Sequence, residues 1–151
     1  MLKGGVIVLV EEDEDDIEII SRIICETFSH HELKIIPSLA EVFEYLSSAT
    51  QRPFLIICDN NWRNKNQQKL ASLIEKFPAL KLKSIPFVFY SALPESELID
   101  EAFKDLNVQG YFQKHSNYEE IRKDLSSIID YWERVITPGS NEADYSHQKI
   151  N

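Results

Sequence analysis

Five apolar residues, Phe54-Leu55-Ile56-Ile57-Cys58, end abruptly in Asp59-Asn60-Asn61. A short unbroken apolar run bounded by polar residues fits a strand buried on both faces. Asp59 then stands at the carboxyl end of that strand. In open α/β sheets this is the edge where ligands bind. Asp59 is therefore the first candidate for a working group, and the rest of the chain is read for its partners.

The same pattern recurs along the chain. Gly5 to Val10 is a short β-branched run followed by six consecutive acids, Glu11 to Asp16. Ile17, Ile20, Ile24 and Phe28 then recur at helical spacing, so residues 14–29 are expected to form an amphipathic helix capped near Asp13. Leu33–Ile36 reads as a short strand. Ser38 with Glu41 reads as a capping box before an apolar face of Val42, Phe43, Tyr45 and Leu46. Beyond Asp59 a polar loop over 60–68 leads to a helix through Leu70, Leu73, Ile74 and Phe77, stopped near Pro78. Ile85–Tyr90 is the fourth strand and ends in Ser91. Pro94 opens a helix reaching Leu106, and Val108–Gln113 is the fifth strand, ending in Lys114. Ser116 or Asn117 caps a last helix with Ile121, Leu125, Ile128, Ile129 and Trp132 on one face. Strands alternating with helices imply a parallel sheet with right-handed crossovers. The expected fold is α/β: a doubly wound five-stranded parallel sheet of order 2-1-3-4-5, a flavodoxin-like three-layer sandwich.

Length and charge narrow the function classes. A chain of 151 residues corresponds to about one domain. Residues 1–136 are expected to form it, with 137–151 a flexible tail. The net charge of -9 argues against binding nucleic acid through phosphates. No apolar run approaches the ~20 residues of a membrane helix, and too little precedes the first strand for a signal peptide, so no membrane contact and a cytoplasmic location are expected. Cys25 and Cys58 are read as reduced, small core residues, and no Cys/His spacing suggests zinc.

The strand ends can then be read together. Strand one ends in Glu11-Glu12-Asp13, strand three in Asp59, strand four in Ser91 and strand five in Lys114. Taken singly, an acid or a serine after a strand is a turn or cap residue, and a lysine is solvated. In this topology, however, the four strands are neighbours, and their ends would gather carboxylates, a hydroxyl and an ammonium in one shallow pocket. Clustered carboxylates repel unless a cation neutralises them, and hard oxygen donors with several waters suit Mg2+. A carboxylate can also carry a phosphoryl group as an aspartyl phosphate. An ammonium and a hydroxyl would then pair with its oxygens.

At these segments the chain resembles the receiver domains of two-component response regulators. The resemblance covers residues 5–135 and rests on four segments in order: Val-Glu-Glu-Asp-Glu-Asp-Asp at 10–16, Ile-Ile-Cys-Asp-Asn-Asn at 56–61, Phe-Val-Phe-Tyr-Ser-Ala at 87–92, and Gly-Tyr-Phe-Gln-Lys at 110–114. It implies that Asp59 is phosphorylated from a phosphohistidine donor. It also implies that Glu11, Glu12, Asp59 and the Asn61 backbone carbonyl hold Mg2+, although a register shifted by one makes Glu12-Asp13 the acidic pair. Ser91 and Lys114 would bind the phosphoryl group, and Tyr111 would be the aromatic that turns inward when Ser91 moves. Glu12 is one methylene longer than the aspartate frequent in the family. Trp62-Arg63-Asn64 and Gln67 occupy a loop that often holds proline and glycine, and His115 stands where proline is usual.

The implied partners are a histidine kinase or histidine phosphotransfer protein and a downstream protein. The latter would contact the face of the fourth predicted helix, fifth strand and last helix. A homodimer through that face is compatible with the pattern, but no residue specifies it. The ~15 residues after the last helix are too few for a DNA-binding helix-turn-helix. The implied protein is a phosphotransfer signalling protein and not a classical enzyme. The alternative is a receiver-fold interaction module that is not efficiently phosphorylated. A hydrolase lacks an acid at Asn61 to protonate a leaving group. A nucleotide-binding protein lacks a glycine-rich loop after strand one.

Overall fold

Alternate residues of the central strands feed two separate cores, one on each side of a five-stranded parallel sheet. The computed structural model describes residues 4–59, 85–92 and 108–135. The strands are β1 (Val6–Val10), β2 (Glu32–Ile36), β3 (Leu55–Cys58), β4 (Phe87–Ser91) and β5 (Val108–Gln113), in the order β2-β1-β3-β4-β5. All neighbouring pairs are parallel. The described helices are α1 (Glu14–Thr27), α2 (Leu39–Ser48) and α3 (Tyr118–Arg134). The helices expected around 70–77 and 94–106, the loop over 60–68, and the tail lie outside the described residues.

Side chains alternate across a strand with period two. Val8, Val10, Ile56, Cys58, Phe87 and Phe89 therefore point to one side, where they pack with Leu39, Val42, Phe43 and Leu46 of α2. Ile7, Leu9, Leu55, Ile57, Val88 and Tyr90 point to the other, against Ile20, Ile23 and Ile24 of α1 and Ile121, Leu125, Ile128, Ile129 and Trp132 of α3. Every residue of β3 is buried, as the unbroken apolar run requires. β2 is one of the two edge strands and is largely exposed; its Ile35 reaches water.

Local signals start the helices where expected. Asp13 caps α1 by accepting from the Asp16 amide, and Asn117 caps α3 by accepting from the Glu120 amide. Ser38 and Glu41 form a side-chain pair at the start of α2: Ser38 Oγ accepts from the Glu41 amide at 3.3 Å and donates to Glu41 Oε2 at 2.8 Å. One reading is corrected. Cys25 is exposed, while Cys58 is buried as expected. The α1 stripe runs through Ile20, Ile23 and Ile24, and one residue beyond Ile24 turns about 100° away from it. The β4–β5 register slips between Phe87 and Val88, which pair with Val108 and Gly110, so an extra residue is accommodated in β5.

Candidate functional site

The carboxyl end of the sheet is assembled by backbone pairing. The Asp59 amide donates to the Val10 carbonyl at 3.0 Å, which fixes the end of β3 beside the end of β1. The Lys114 amide donates to the Ser91 carbonyl at 2.8 Å, which fixes the end of β5 beside the end of β4. Ser91 is buried and lies two residues beyond Phe89, the partner of Cys58 in β3.

Lys114 reaches back across these ends. Its Nζ donates to Asp59 Oδ2 at 3.0 Å, to Glu11 Oε2 at 3.0 Å and to Asp16 Oδ2 at 3.1 Å. Its side chain is only 6% exposed, so these are charge-assisted bonds in a poorly solvated setting. The Tyr90 ring lies 5.7 Å from the same nitrogen. Burial opposes the ammonium, but the charges and hydrogen bonds of Asp59 and Glu11 outweigh it and raise Lys114 above the ordinary lysine value.

Glu11 is buried and held at both oxygens. Oε1 accepts from the amides of Glu12 at 3.0 Å and Asp13 at 3.1 Å, while Oε2 meets Lys114. Burial raises its pKa; Lys114 opposes the rise and Asp59 adds to it, leaving a net upward shift. The buried Cys58 thiol donates to the Asp59 carbonyl at 3.2 Å and is raised well above its ordinary value by burial and the adjacent acids, so it stays a neutral core group.

Among the expected site residues, the structure brings Glu11, Asp59 and Lys114 into direct contact. Glu12 follows Glu11 and is half-buried. Tyr111 is partly buried against the α2-side core, its ring 5.9 Å from that of Phe89. Asn61 lies outside the described residues.

Asp16 was not singled out from the sequence. Its signal is its position four residues before Ile20, which places an acid on the inward stripe of α1. A second polar chain also lay outside the sequence reading: Tyr90 Oη donates to Asp124 Oδ2 at 2.7 Å, and His115 Nδ1 lies 2.7 Å from the same oxygen. Burial, followed by the bond to Asp124, raises the Tyr90 phenol, and Asp124 raises His115.

Three carboxylates around one ammonium hold more negative charge than it neutralises. An all-oxygen donor set with Asp59 still partly open to water, its side chain 14% exposed, fits a hard divalent cation that keeps water ligands.

No protein-family model matches the chain, and no curated protein does. Among solved structures, the phosphorylated cyanobacterial phytochrome response regulator RcpA superposes with a TM-score of 0.72 at 24% identity, covering 89% of this chain and 99% of RcpA. The chain has the receiver fold. The Mn2+-bound response regulator Rcp1 gives a TM-score of 0.67 at 24% identity, covering 89% of this chain and 99% of Rcp1. A response regulator receiver domain from Rhodospirillum rubrum gives 0.68 at 19%, covering 90% and 99%. In receiver terms, the Lys114 cluster occupies the carboxyl edge of the sheet, the ligand edge of a doubly wound fold. Among the described residues, no helix is long and apolar enough to cross a membrane.

Proposed function

We propose that this chain is a receiver in a two-component phosphorelay, accepting a phosphoryl group on Asp59 from a phosphohistidine donor. The observation that carries this reading is Lys114 Nζ 3.0 Å from Asp59 Oδ2 at the carboxyl edge of the sheet. An ammonium so placed can follow a phosphoryl oxygen once the carboxylate has become an acyl phosphate.

In the transfer, a carboxylate oxygen of Asp59 attacks phosphorus. The new P–O bond forms as the P–N bond breaks, and its electron pair returns to the donor's imidazole nitrogen. Lys114 and Ser91 bind the phosphoryl oxygens. Glu11, Glu12, Asp59 and the Asn61 carbonyl are the residues assigned to Mg2+, which supplies charge neutralisation at the phosphoryl oxygens when bound. Two structurally similar proteins support this reading: RcpA is phosphorylated and Rcp1 is Mn2+-bound. Movement of Ser91 toward the phosphoryl group would free space for Tyr111 to turn inward and alter the β5 face, where a downstream protein would bind. The role is signalling in the cytoplasm, with a histidine kinase or histidine phosphotransfer protein as donor.

The test is intact-protein mass after incubation with acetyl phosphate and Mg2+. A gain of about 80 Da, absent in Asp59→Asn, supports the reading. One observation favours a second reading, a binding module that is not efficiently phosphorylated: Asp59 Oδ2 is already engaged by Lys114, itself held by two further acids. Mg2+ binding with no mass gain from either acetyl phosphate or a phosphorylated histidine kinase would select it.

A further inference from the structure

At the opposite edge of the sheet, three side chains from two distant parts of the chain converge. His30 and His31 occupy the turn between α1 and β2, and Glu133 lies near the end of α3. His30 Nε2 is 2.6 Å and His31 Nε2 2.8 Å from the same Glu133 Oε1. One donor atom from each of the three residues lies within 4.8 Å of the other two. The geometry points to a transition-metal site, formed by His30, His31 and Glu133, for a divalent ion of the Zn2+ class.

The donor chemistry selects the ion. Two imidazoles and one carboxylate suit Zn2+, Ni2+, Co2+ or Cu2+, whereas Mg2+ prefers oxygen alone. Metal–ligand bonds of about 2.0–2.1 Å at tetrahedral angles set donor atoms about 3.3 Å apart. Both His–Glu separations are shorter than that, while the donor set as a whole spans up to 4.8 Å, so an ion could replace the two protons now shared with Glu133 if the carboxylate backs off and the two rings close toward each other. Three protein donors would leave a fourth position for water.

The surroundings hold the donors in place. His31 is 0% exposed at its side chain and Glu133 8%, so both are shielded from water. The His31 ring stacks on Phe54 at 4.5 Å and lies 4.2 Å from the His30 ring. A Cβ on Gly4 would overlap the His30 carbonyl oxygen, so glycine there lets the N-terminal segment press against the turn. His31 Nδ1 accepts from the Gly5 amide at 3.0 Å and lies 3.3 Å from the Gly5 carbonyl. With Nδ1 accepting, Nε2 carries the proton and donates to Glu133. Coordination through Nε2 moves that proton to Nδ1, where the Gly5 carbonyl accepts it, an outer hydrogen bond common among metal-bound histidines. His30 makes the same exchange, and its side chain is 32% exposed, so water is available to accept the proton at Nδ1. The cost is the Gly5 amide bond to Nδ1. Roughly 16 Å, the length of β1, separates this cluster from the Lys114 cluster, so one ion cannot serve both.

The ion would clasp the last turn of α3 to the α1–β2 turn. The test is titration of the full chain with Zn2+ in excess Mg2+, read by nitrogen NMR of the histidine rings and by calorimetry. The expected result is one Zn2+ bound with the His30 and His31 ring nitrogens shifted, and binding at least tenfold weaker in both His30→Ala and Glu133→Gln. The partly exposed His30 makes the first variant mild, and the second keeps the side-chain shape; circular dichroism checks both folds. The inference is overturned if Zn2+ leaves the His30 and His31 rings unmoved. It is equally overturned if only His115 or His147 respond, or if neither variant weakens binding.

Discussion

Replacing Lys114 by methionine keeps most of the stem volume and removes the ammonium that three carboxylates share. Each contact is 3.0–3.1 Å long, and the nitrogen is almost fully buried. Breaking a buried pair by deleting one partner typically costs about 3–5 kcal/mol, because the remaining charge has nowhere to go. Here Glu11 is the group most exposed to that penalty, being buried and next to Asp59. Asp16 is partly solvated and adds little. We expect Lys114→Met to lose about 3–4 kcal/mol at neutral pH in urea denaturation.

The pH dependence tests the cause. Glu11 already has a raised folded-state pKa, and loss of Lys114 removes a lowering influence. An acid whose folded pKa is raised binds its proton more tightly when folded, so stability rises as pH falls through that value. The gap between variant and wild type should therefore narrow on acidification, beginning above the ordinary glutamate range. In the wild type the raised Lys114 value makes its contribution fully present below the ordinary 10.5 and lost only as pH climbs past it. Equal stability of the two proteins at neutral pH would refute the ion-pair reasoning. A gap unchanged on acidification would refute carboxylate repulsion as its origin.

Other outcomes follow from the same contacts. Asp16→Asn leaves Lys114 its two less exposed partners and should cost under about 1 kcal/mol in the same denaturation assay. Asp124→Asn removes the charge that raises His115, so NMR titration should show the His115 pKa falling toward its ordinary value. Leu125→Ala opens a cavity in the fully buried core between α3 and the sheet and should cost about 2–5 kcal/mol by thermal or urea unfolding.

The fold was legible because β3 and β4 are buried on both faces and announce themselves as apolar runs, while α1, α2 and α3 carry clear stripes and caps. Asp59 was legible because it ends such a run, and Lys114 because it closes the last strand, β5, just before a capped helix; topology then makes the strand ends neighbours. Asp16 was hidden inside a six-acid run whose ordinary reading is a solvated helix start; only its place four residues before Ile20 marks it out. Cys25 lies outside the core because it sits one residue past Ile24, about 100° around the helix from the buried stripe. Asp124 and Glu133 carry the same faint signal as Asp16, since Asp124 stands four residues before Ile128 and Glu133 four after Ile129, at the borders of the α3 stripe. What the sequence does not carry is their partners, because Tyr90, His30 and His31 are supplied by other elements only once the chain has folded.

The measurement that bears most directly on the central claim is chemical trapping at residue 59. Protein treated with acetyl phosphate and Mg2+ is reduced with borohydride, which converts an aspartyl phosphate to homoserine, and the peptides are sequenced by mass spectrometry. The account predicts homoserine at position 59, dependent on Mg2+ and abolished by chelation before phosphorylation. Aspartate intact at 59 in protein that has gained phosphate, with the modification mapped to another residue, would contradict it.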